Sequence, residues 1–345
     1  MLSVAVVKPD QVELVDIPMP TPGPYEARVR SEAACLCNAT DRKLIEGHFP
    51  GVEEYPLILG HETVGIVDAV GGKVRNFKVG DRVVGGLLLN TNSPDFASGW
   101  GGFSEYLLAG DHHAMLADGV ADAENDWFEV YEIMRVVPDS IPVEDAVMLC
   151  TWREVYGAFG DFKFEEGDDI LVFGAGPVGL SFVKFARLLG LGSIAVVEPM
   201  VEKREKALEM GADLAVSPDN DVLQSIVKDR AKPFDAVIDA VGREEIINSA
   251  LPLIKMAGSI CVYGVIDTPA VNLQKHLGPY NFNLFVHQWP TRSREAAAQE
   301  PLCEWIDSGK LSHKEFISVE YPITEINRAI QQSKTGQTIK TLLRF

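Results

Sequence analysis

The chain has 345 residues, of which 46% are hydrophobic and 23% charged, and a formal net charge of -19. That length supports two ordinary domains with cores of their own and needs no disulfide staples. No run of about 18 apolar residues suggests a bilayer span, and 50 acidic against 31 basic residues weigh against nucleic acid, whose binding needs clustered Lys and Arg to displace counterions.

The N-terminal MLSVAVVKPDQVELVDI reads as short strand-like pieces broken by Lys8, Pro9 and Asp10. It lacks the basic flank and long apolar stretch of a signal peptide, so a cytoplasmic address is expected. Five cysteines, at 35, 37, 150, 261 and 303, are too few and too irregular for a disulfide framework and fit a reducing compartment. Valine-rich runs such as EARVRSEA, VGIVDAVG and GDRVVGG, set among Gly and Pro, predict short strands joined by tight turns up to about residue 110. Within them CLCNATD, Cys35 to Asp41, admits a redox pair, half of a metal site or an ordinary turn. The acidic stretch HHAMLADGVADAENDWFEVY, His112 to Tyr131, is an excursion between strand-like segments. It reads plainly as a solvated loop or helix, and more sharply as a lid or an oligomer contact.

From about 150 to 265 the texture changes: DDILVFGAG, SIAVVEP, FDAVIDAVG and GSICVYGV alternate with GLSFVKFARLLG and VEKREKALEMGA, the pattern of parallel β/α units. The turn GAGPVG follows its strand directly, giving Gly174, Gly176 and Gly179 the GxGxxG spacing of a dinucleotide fingerprint. The first glycine permits a tight turn, the second lets backbone approach a pyrophosphate, and the third lets helix and strand pack closely. Glu198 ends the next apolar strand, where an acid binds both ribose hydroxyls and opposes a 2'-phosphate, so NAD is expected rather than NADP. Lys203 and Arg204 on the following helix could reach such a phosphate or stay solvated. A nucleotide-free α/β fold with glycine turns is the plain alternative. After about residue 290 mixed texture resumes, and TIKTLLRF reads as a final strand. The expected fold is α/β: a largely β domain over residues 1–150 and 287–345, interrupted by a doubly wound parallel-sheet dinucleotide domain over 151–286.

The segment LGHETVGIVDAVGGKVRNFKVGDRV places Gly60, His61 and Glu62 ahead of Gly65, Gly71, Gly80 and Asp81. It resembles the zinc-containing medium-chain dehydrogenase/reductase family of alcohol, polyol, sugar and threonine dehydrogenases. EARVRSEAACLC resembles the strand that leads to that family's first zinc-ligand cysteine and puts Cys37 in its place. GGFSEYLL resembles the strand after its variable loop, and GAGPVG its cofactor turn. The resemblance covers nearly the whole chain and implies a GroES-like, mostly β catalytic domain beside a Rossmann domain. It also implies a third ligand just before the cofactor domain, where AVMLCTWREVYGAF offers Cys150, otherwise a buried small hydrophobe. Cys37, His61 and Cys150 then form a Cys2His set for one catalytic Zn2+, with a fourth position for water or substrate. Glu62 is expected as a second-sphere carboxylate or an occasional replacement ligand, and Glu154 as a weaker substitute. The family's structural zinc loop needs four closely spaced cysteines. VVGGLLLNTNSPDFASGWGG has none, so no structural zinc is expected.

For the proton leaving an alcohol, the resemblance implies Thr40 as the relay hydroxyl and Lys43 as the basic residue after it. The sequence departs from the family here, because Asn38, Ala39 and Thr40 stand between Cys37 and Asp41 where two residues are usual. Whether Thr40 or Asn38 faces the substrate oxygen is left open. The resemblance adds Pro177, Val178, Val241 and Val265 as cofactor-binding positions, and Lys340 in QTIKTL as a pyrophosphate contact, with a solvated strand-edge lysine as its alternative. Trp152, Arg153 and Trp289 could line a substrate cleft or pack in the core. The implied function is an NAD-dependent zinc dehydrogenase of a secondary alcohol, polyol, sugar or cyclitol. Its partners would be a small alcohol or ketone and copies of itself in a homodimer or homotetramer, with no nucleic acid or membrane. A zinc-free quinone or enoyl reductase and a non-catalytic nucleotide-binding protein are the competing readings.

Overall fold

The computed structural model describes residues 1–229, 232–266, 268 and 270–345. The chain divides into two compact units, Met1–Arg153 with Glu295–Phe345, and Glu154–Arg294. Among the described residues no helix is long and apolar enough to cross a membrane.

The first unit opens with an antiparallel hairpin of Leu2–Lys8 on Gln11–Asp16. Asp10 turns it with φ at 64°, a left-handed conformation that aspartate tolerates better than most residues. Its main sheet is organised around the strand Glu26–Leu36, which pairs antiparallel with Glu62–Val70, with Tyr106–Gly110 and with the last strand, Lys340–Arg344. In this register Cys35 lies opposite both Glu62 and Leu342, so one face of three strands carries the chemistry described below. Two of the glycines after His61 are dictated by space: a Cβ on Gly65 would stand 2.3 Å from the Arg30 carbonyl oxygen, and one on Gly71 2.0 Å from that of Gly23. The opposite side of the sheet packs Leu36, Leu44, Leu57, Phe103, Ile326 and Leu343 into one core, each such side chain stabilising by about 1.5–3 kcal/mol.

The acidic excursion is more than a solvated loop. Helix His112–Asp118 is capped by Asp111, whose carboxylate accepts from Ala114 N at 3.0 Å and from Arg75 N at 2.7 Å. Met115 and Tyr131 are buried beneath it. Trp127 Nε1 donates to His112 Nδ1 at 3.1 Å, a bond that only the neutral ring can accept. Burial lowers the His112 pKa, and His113 and Arg135 lower it further against Glu132 and Asp111. A histidine depressed in the folded state contributes stability above its unfolded pKa of about 6.5, lost as pH falls toward the folded value. Trp127 emission is therefore expected to change as pH drops below about 6.5, and His112→Phe, which has no acceptor, is expected to abolish that change.

The second unit is one parallel sheet in the order Leu214–Val216, Ile194–Val197, Ile170–Phe173, Phe234–Asp239, Ile254–Val262, Asn283–Val286. The inner strands Ile170–Phe173 and Ile194–Val197 are buried along their whole length, as continuous apolar strands covered on both faces must be. The strand order reverses between Ile170–Phe173 and Phe234–Asp239, which is where such sheets bind ligands.

Candidate metal centre and dinucleotide turn

Gly60 adopts φ of +100°, and a Cβ there would stand 2.3 Å from the Phe103 ring, so only glycine turns the chain into His61. Across the sheet the strand Glu26–Leu36 delivers Cys37 just past its end. One sulfur of Cys37, one ring nitrogen of His61 and one carboxylate oxygen of Glu62 then lie within 4.8 Å of one another. Thiolate, imidazole and carboxylate form a borderline-soft donor set that fits Zn2+. The His61 ring is oriented by its neighbours, with Nδ1 3.1 Å from the fully buried Asp41 Oδ1 and Nε2 4.0 Å from Glu62 Oε1. The Nδ1 contact is an ion-pair approach between buried atoms and not an aligned hydrogen bond. A carboxylate behind a ligating imidazole fixes its tautomer and raises its basicity. Burial disfavours the charged ring, yet Asp41 and Cys37 outweigh it and raise the His61 pKa well above the ordinary value. Asp41 and Cys37 thus favour positive charge at this point of the site.

Glu62 is buried and used on both oxygens. Lys340 Nζ approaches Oε1 at 2.6 Å, and Thr151 Oγ1 donates to Oε2 at 3.0 Å. Lys340 is only 2% exposed; burial lowers its pKa, but Glu62, Cys37 and Cys35 raise it further, so it stays an ammonium. Cys150 is not among the three described residues whose donor atoms lie within 4.8 Å of one another. Its thiol rests 3.6 Å from the Thr63 carbonyl oxygen, because helix Val143–Asp161 seats this side chain against the strand backbone next to Glu62. Cys35 is fully buried, and burial pushes its thiol pKa far up, which disfavours the thiolate that redox exchange with Cys37 would need.

In the second unit the glycine turn has the shape a dinucleotide needs. Gly174 has φ of +95°, a Cβ on Gly179 would stand 1.9 Å from the Gly174 carbonyl oxygen, and a Cβ on Gly176 would meet nothing within 4 Å. The open space lies at the N-terminus of helix Pro177–Leu188, whose cap Gly176 uses no side chain. Backbone N–H groups and the helix dipole there suit a phosphate. The buried Glu198 closes the turn from the side, accepting from Ala175 N at 2.8 Å and from Met200 N at 3.0 Å.

Comparison with known proteins agrees with both halves. The alcohol dehydrogenase GroES-like domain family matches residues 23–118, and the zinc-binding dehydrogenase family matches residues 177–291. An NADP-dependent isopropanol dehydrogenase of Thermoanaerobacter brockii is 32% identical over 75% of this chain and 74% of its own length. The chain belongs to the zinc-containing medium-chain dehydrogenase family. Starvation-sensing protein RspB of Escherichia coli K12 is 27% identical over 100% of this chain and 99% of its own. The crystal structure of an alcohol dehydrogenase from E. coli CFT073, complexed with NADH, superposes with a TM-score of 0.81 at 24% identity, covering 100% of this chain and 99% of that one. The chain is thus an oxidoreductase by family, with a GroES-like domain and a Rossmann-like parallel sheet.

Within this medium-chain dehydrogenase, Thr40 and Lys43 fall in helix Thr40–Glu46, three residues apart and so on one face. Val241 and Val265 sit in loops after the strands Phe234–Asp239 and Ile254–Val262, at the carboxyl ends where cofactors bind. Arg204 donates from Nη1 to the carbonyl oxygens of Glu198 and Pro199, both at 2.7 Å, which ties its guanidinium to the backbone at the end of this strand. Trp152 and Arg153 are fully buried. Trp152 packs edge-on against Phe316, and Arg153 donates to the Ile133 carbonyl and to Gln299, which makes both core residues. Glu154 takes a long hydrogen bond from Tyr263 and is absent from the donor group. Two acids escaped the sequence reading. Asp41 orients His61, and the buried Asp239 accepts from the N–H groups of Val241, Gly242 and Arg243, so it shapes the loop that carries Val241. Burial raises the Asp239 pKa against those bonds. An acid ending the strand FDAVID was a signal available in the sequence, and Asp41 had one in the family register counted from Cys37.

Proposed function

We propose that the protein transfers a hydride between NAD and a secondary alcohol or its ketone, of the polyol, sugar or cyclitol class, at a zinc centre held by Cys37, His61 and Glu62. The observation that carries this reading is the convergence of those three donors within 4.8 Å of one another. Zinc held there would supply Lewis acidity toward an alcohol oxygen, and NAD the hydride chemistry. Asp41 keeps the His61 ring in place, Lys340 balances the Glu62 charge, and Thr40 with Lys43 passes the proton away along one face of its helix. The deciding experiment is NAD reduction across polyols, sugars, cyclitols and simple secondary alcohols with zinc content measured in parallel. Zinc-loaded protein inactive on the whole panel would overturn the reading, and turnover of quinones or enones by metal-free protein would select the zinc-free reductase.

NAD is proposed over NADP on the strength of Glu198, although the T. brockii relative is NADP-dependent by name. A 2'-phosphate beside this carboxylate meets a like charge, and Arg204 Nη1 is engaged by the Glu198 carbonyl oxygen. Glu198→Gln keeps the side-chain shape and removes that charge. It is expected to cut the ratio of kcat/KM for NAD over NADP by about tenfold, equivalent to ~1.4 kcal/mol. An unchanged ratio would withdraw Glu198 from cofactor selection.

A homodimer or homotetramer is proposed as well. The edge strand Asn283–Val286 leaves Leu284 40% and Val286 54% exposed, apolar surface on an unpaired strand edge that a second copy would cover. Light scattering gives the mass that decides it. The five cysteines, none of them in a disulfide among the described residues, support a reducing, cytoplasmic setting.

A further inference from the structure

The turn after Cys37, one residue longer than the family's, carries a contact the metal reading leaves unused. The antiparallel ladder between Glu26–Leu36 and Lys340–Arg344 sets Cys35 opposite Leu342 and Leu36 opposite Thr341. Continued, that register brings Cys37 opposite Lys340 and Asn38 opposite Ile339. The backbone does not continue it, because the chain turns away into helix Thr40–Glu46. The Asn38 side chain does: its Nδ2 donates to the Ile339 carbonyl oxygen at 2.9 Å. Ile339 is held from its other side too, its N–H donating to Ser318 Oγ at 2.9 Å. At the far end of the turn Asp41 Oδ2 accepts from Cys37 N at 2.8 Å.

We propose that Asn38 is a positioning residue for the metal centre, its amide adding one side-chain rung to the ladder and fixing Cys37 and Lys340 across from each other. The inference rests on the zinc reading above. Its physical basis is that a long, flexible lysine reaches a set point only if its backbone is fixed. Lys340 must reach Glu62 Oε1 at 2.6 Å without swinging onto the Cys37 thiolate, where an ammonium would compete with the metal. Asn38 anchors the residue immediately before Lys340 and the residue immediately after Cys37 with one bond. The longer turn supplies this anchor, since a chain still running as strand would present backbone rather than an amide side chain at that rung.

The test is zinc affinity, measured by competition with a chromophoric chelator on the full-length folded protein. Asn38→Asp keeps the shape, loses the donor and sets a carboxylate against the Ile339 carbonyl; Asn38→Ala simply removes the amide. Both are expected to weaken zinc binding about tenfold or more, the range for residues that orient metal ligands. Asn38→Gln, which keeps an amide donor, is expected to stay within about threefold of wild type on the same scale. A merely structural strap would lower the melting temperature of Asn38→Ala and leave its zinc affinity at the wild-type value, and that result overturns the proposal. If Asn38→Asp does not fold, Asn38→Ala, which buries no charge, carries the comparison. Wild-type protein that takes up no zinc sinks the metal reading and this proposal together, whereas one equivalent in wild type with unchanged affinity in Asn38→Ala sinks this proposal alone.

Discussion

Cys37→Ser is expected to leave the protein folded but without stoichiometric zinc, and to lower kcat/KM for its alcohol substrate by about 100- to 10,000-fold, the equivalent of ~3–5 kcal/mol of transition-state stabilisation. Serine is close in size and accepts hydrogen bonds, so the fold loses little. It offers a hard, protonated oxygen where a soft thiolate is needed. The site also loses a negative charge from the set that gathers around His61. Cys150→Ser separates two donor sets: zinc stays at one equivalent if the Glu62 carboxylate completes the group, and is lost if the thiol does. With the Cys150 thiol turned to the Thr63 carbonyl, the first outcome is expected. Elemental analysis of dialysed protein beside steady-state kinetics checks both variants. Full activity with an empty site in Cys37→Ser would remove zinc from the mechanism.

The family and the two kinds of domain were legible because their signals are local. GAGPVG after an apolar strand and GHE ahead of spaced glycines each reflect a steric demand met within a few residues, and the structure shows those demands at Gly60, Gly174 and Gly179. The hairpin at Pro9 and Asp10 was local in the same way. What stayed hidden depends on register between strands far apart in the chain. Lys340 meets Glu62 across 278 residues, and no spacing rule relates them until the ladder sets Cys35 opposite both Glu62 and Leu342. A lysine read as a strand-edge or pyrophosphate residue is therefore found buried beside the candidate metal centre. Cys150 depends on packing too: family spacing places it in sequence, and its sulfur is found 3.6 Å from the Thr63 carbonyl oxygen. The excursion at 112 to 131 looked solvated because its acids dominate its composition, while Met115 and Tyr131, which bury it, are few.

Lys340→Met carries the largest expected effect on stability. Breaking a buried ion pair by removing one partner costs about 3–5 kcal/mol, because the remaining charge is left without compensation. In metal-free protein the remaining charge is Glu62, buried, with the Thr151 hydroxyl still donating to it and the His61 ring no nearer than 4.0 Å to its Oε1. Methionine fills most of the lysine volume, so the loss is electrostatic and not a cavity. The sign with pH follows from the raised lysine pKa. A lysine raised on folding contributes stability that is complete below its unfolded pKa of about 10.4 and lost only as pH rises through the higher folded value. The gap in urea unfolding free energy between wild type and Lys340→Met should therefore stay constant between about pH 6 and pH 9, below the lysine range. Adding Glu62→Gln to Lys340→Met removes the orphaned charge and should recover more than half of the loss. That positive coupling identifies the pair, not the lysine alone, as the stabilising unit. A double variant no more stable than Lys340→Met would mean that Glu62 finds its compensation elsewhere, and the ammonium would then be bystander packing against the sheet.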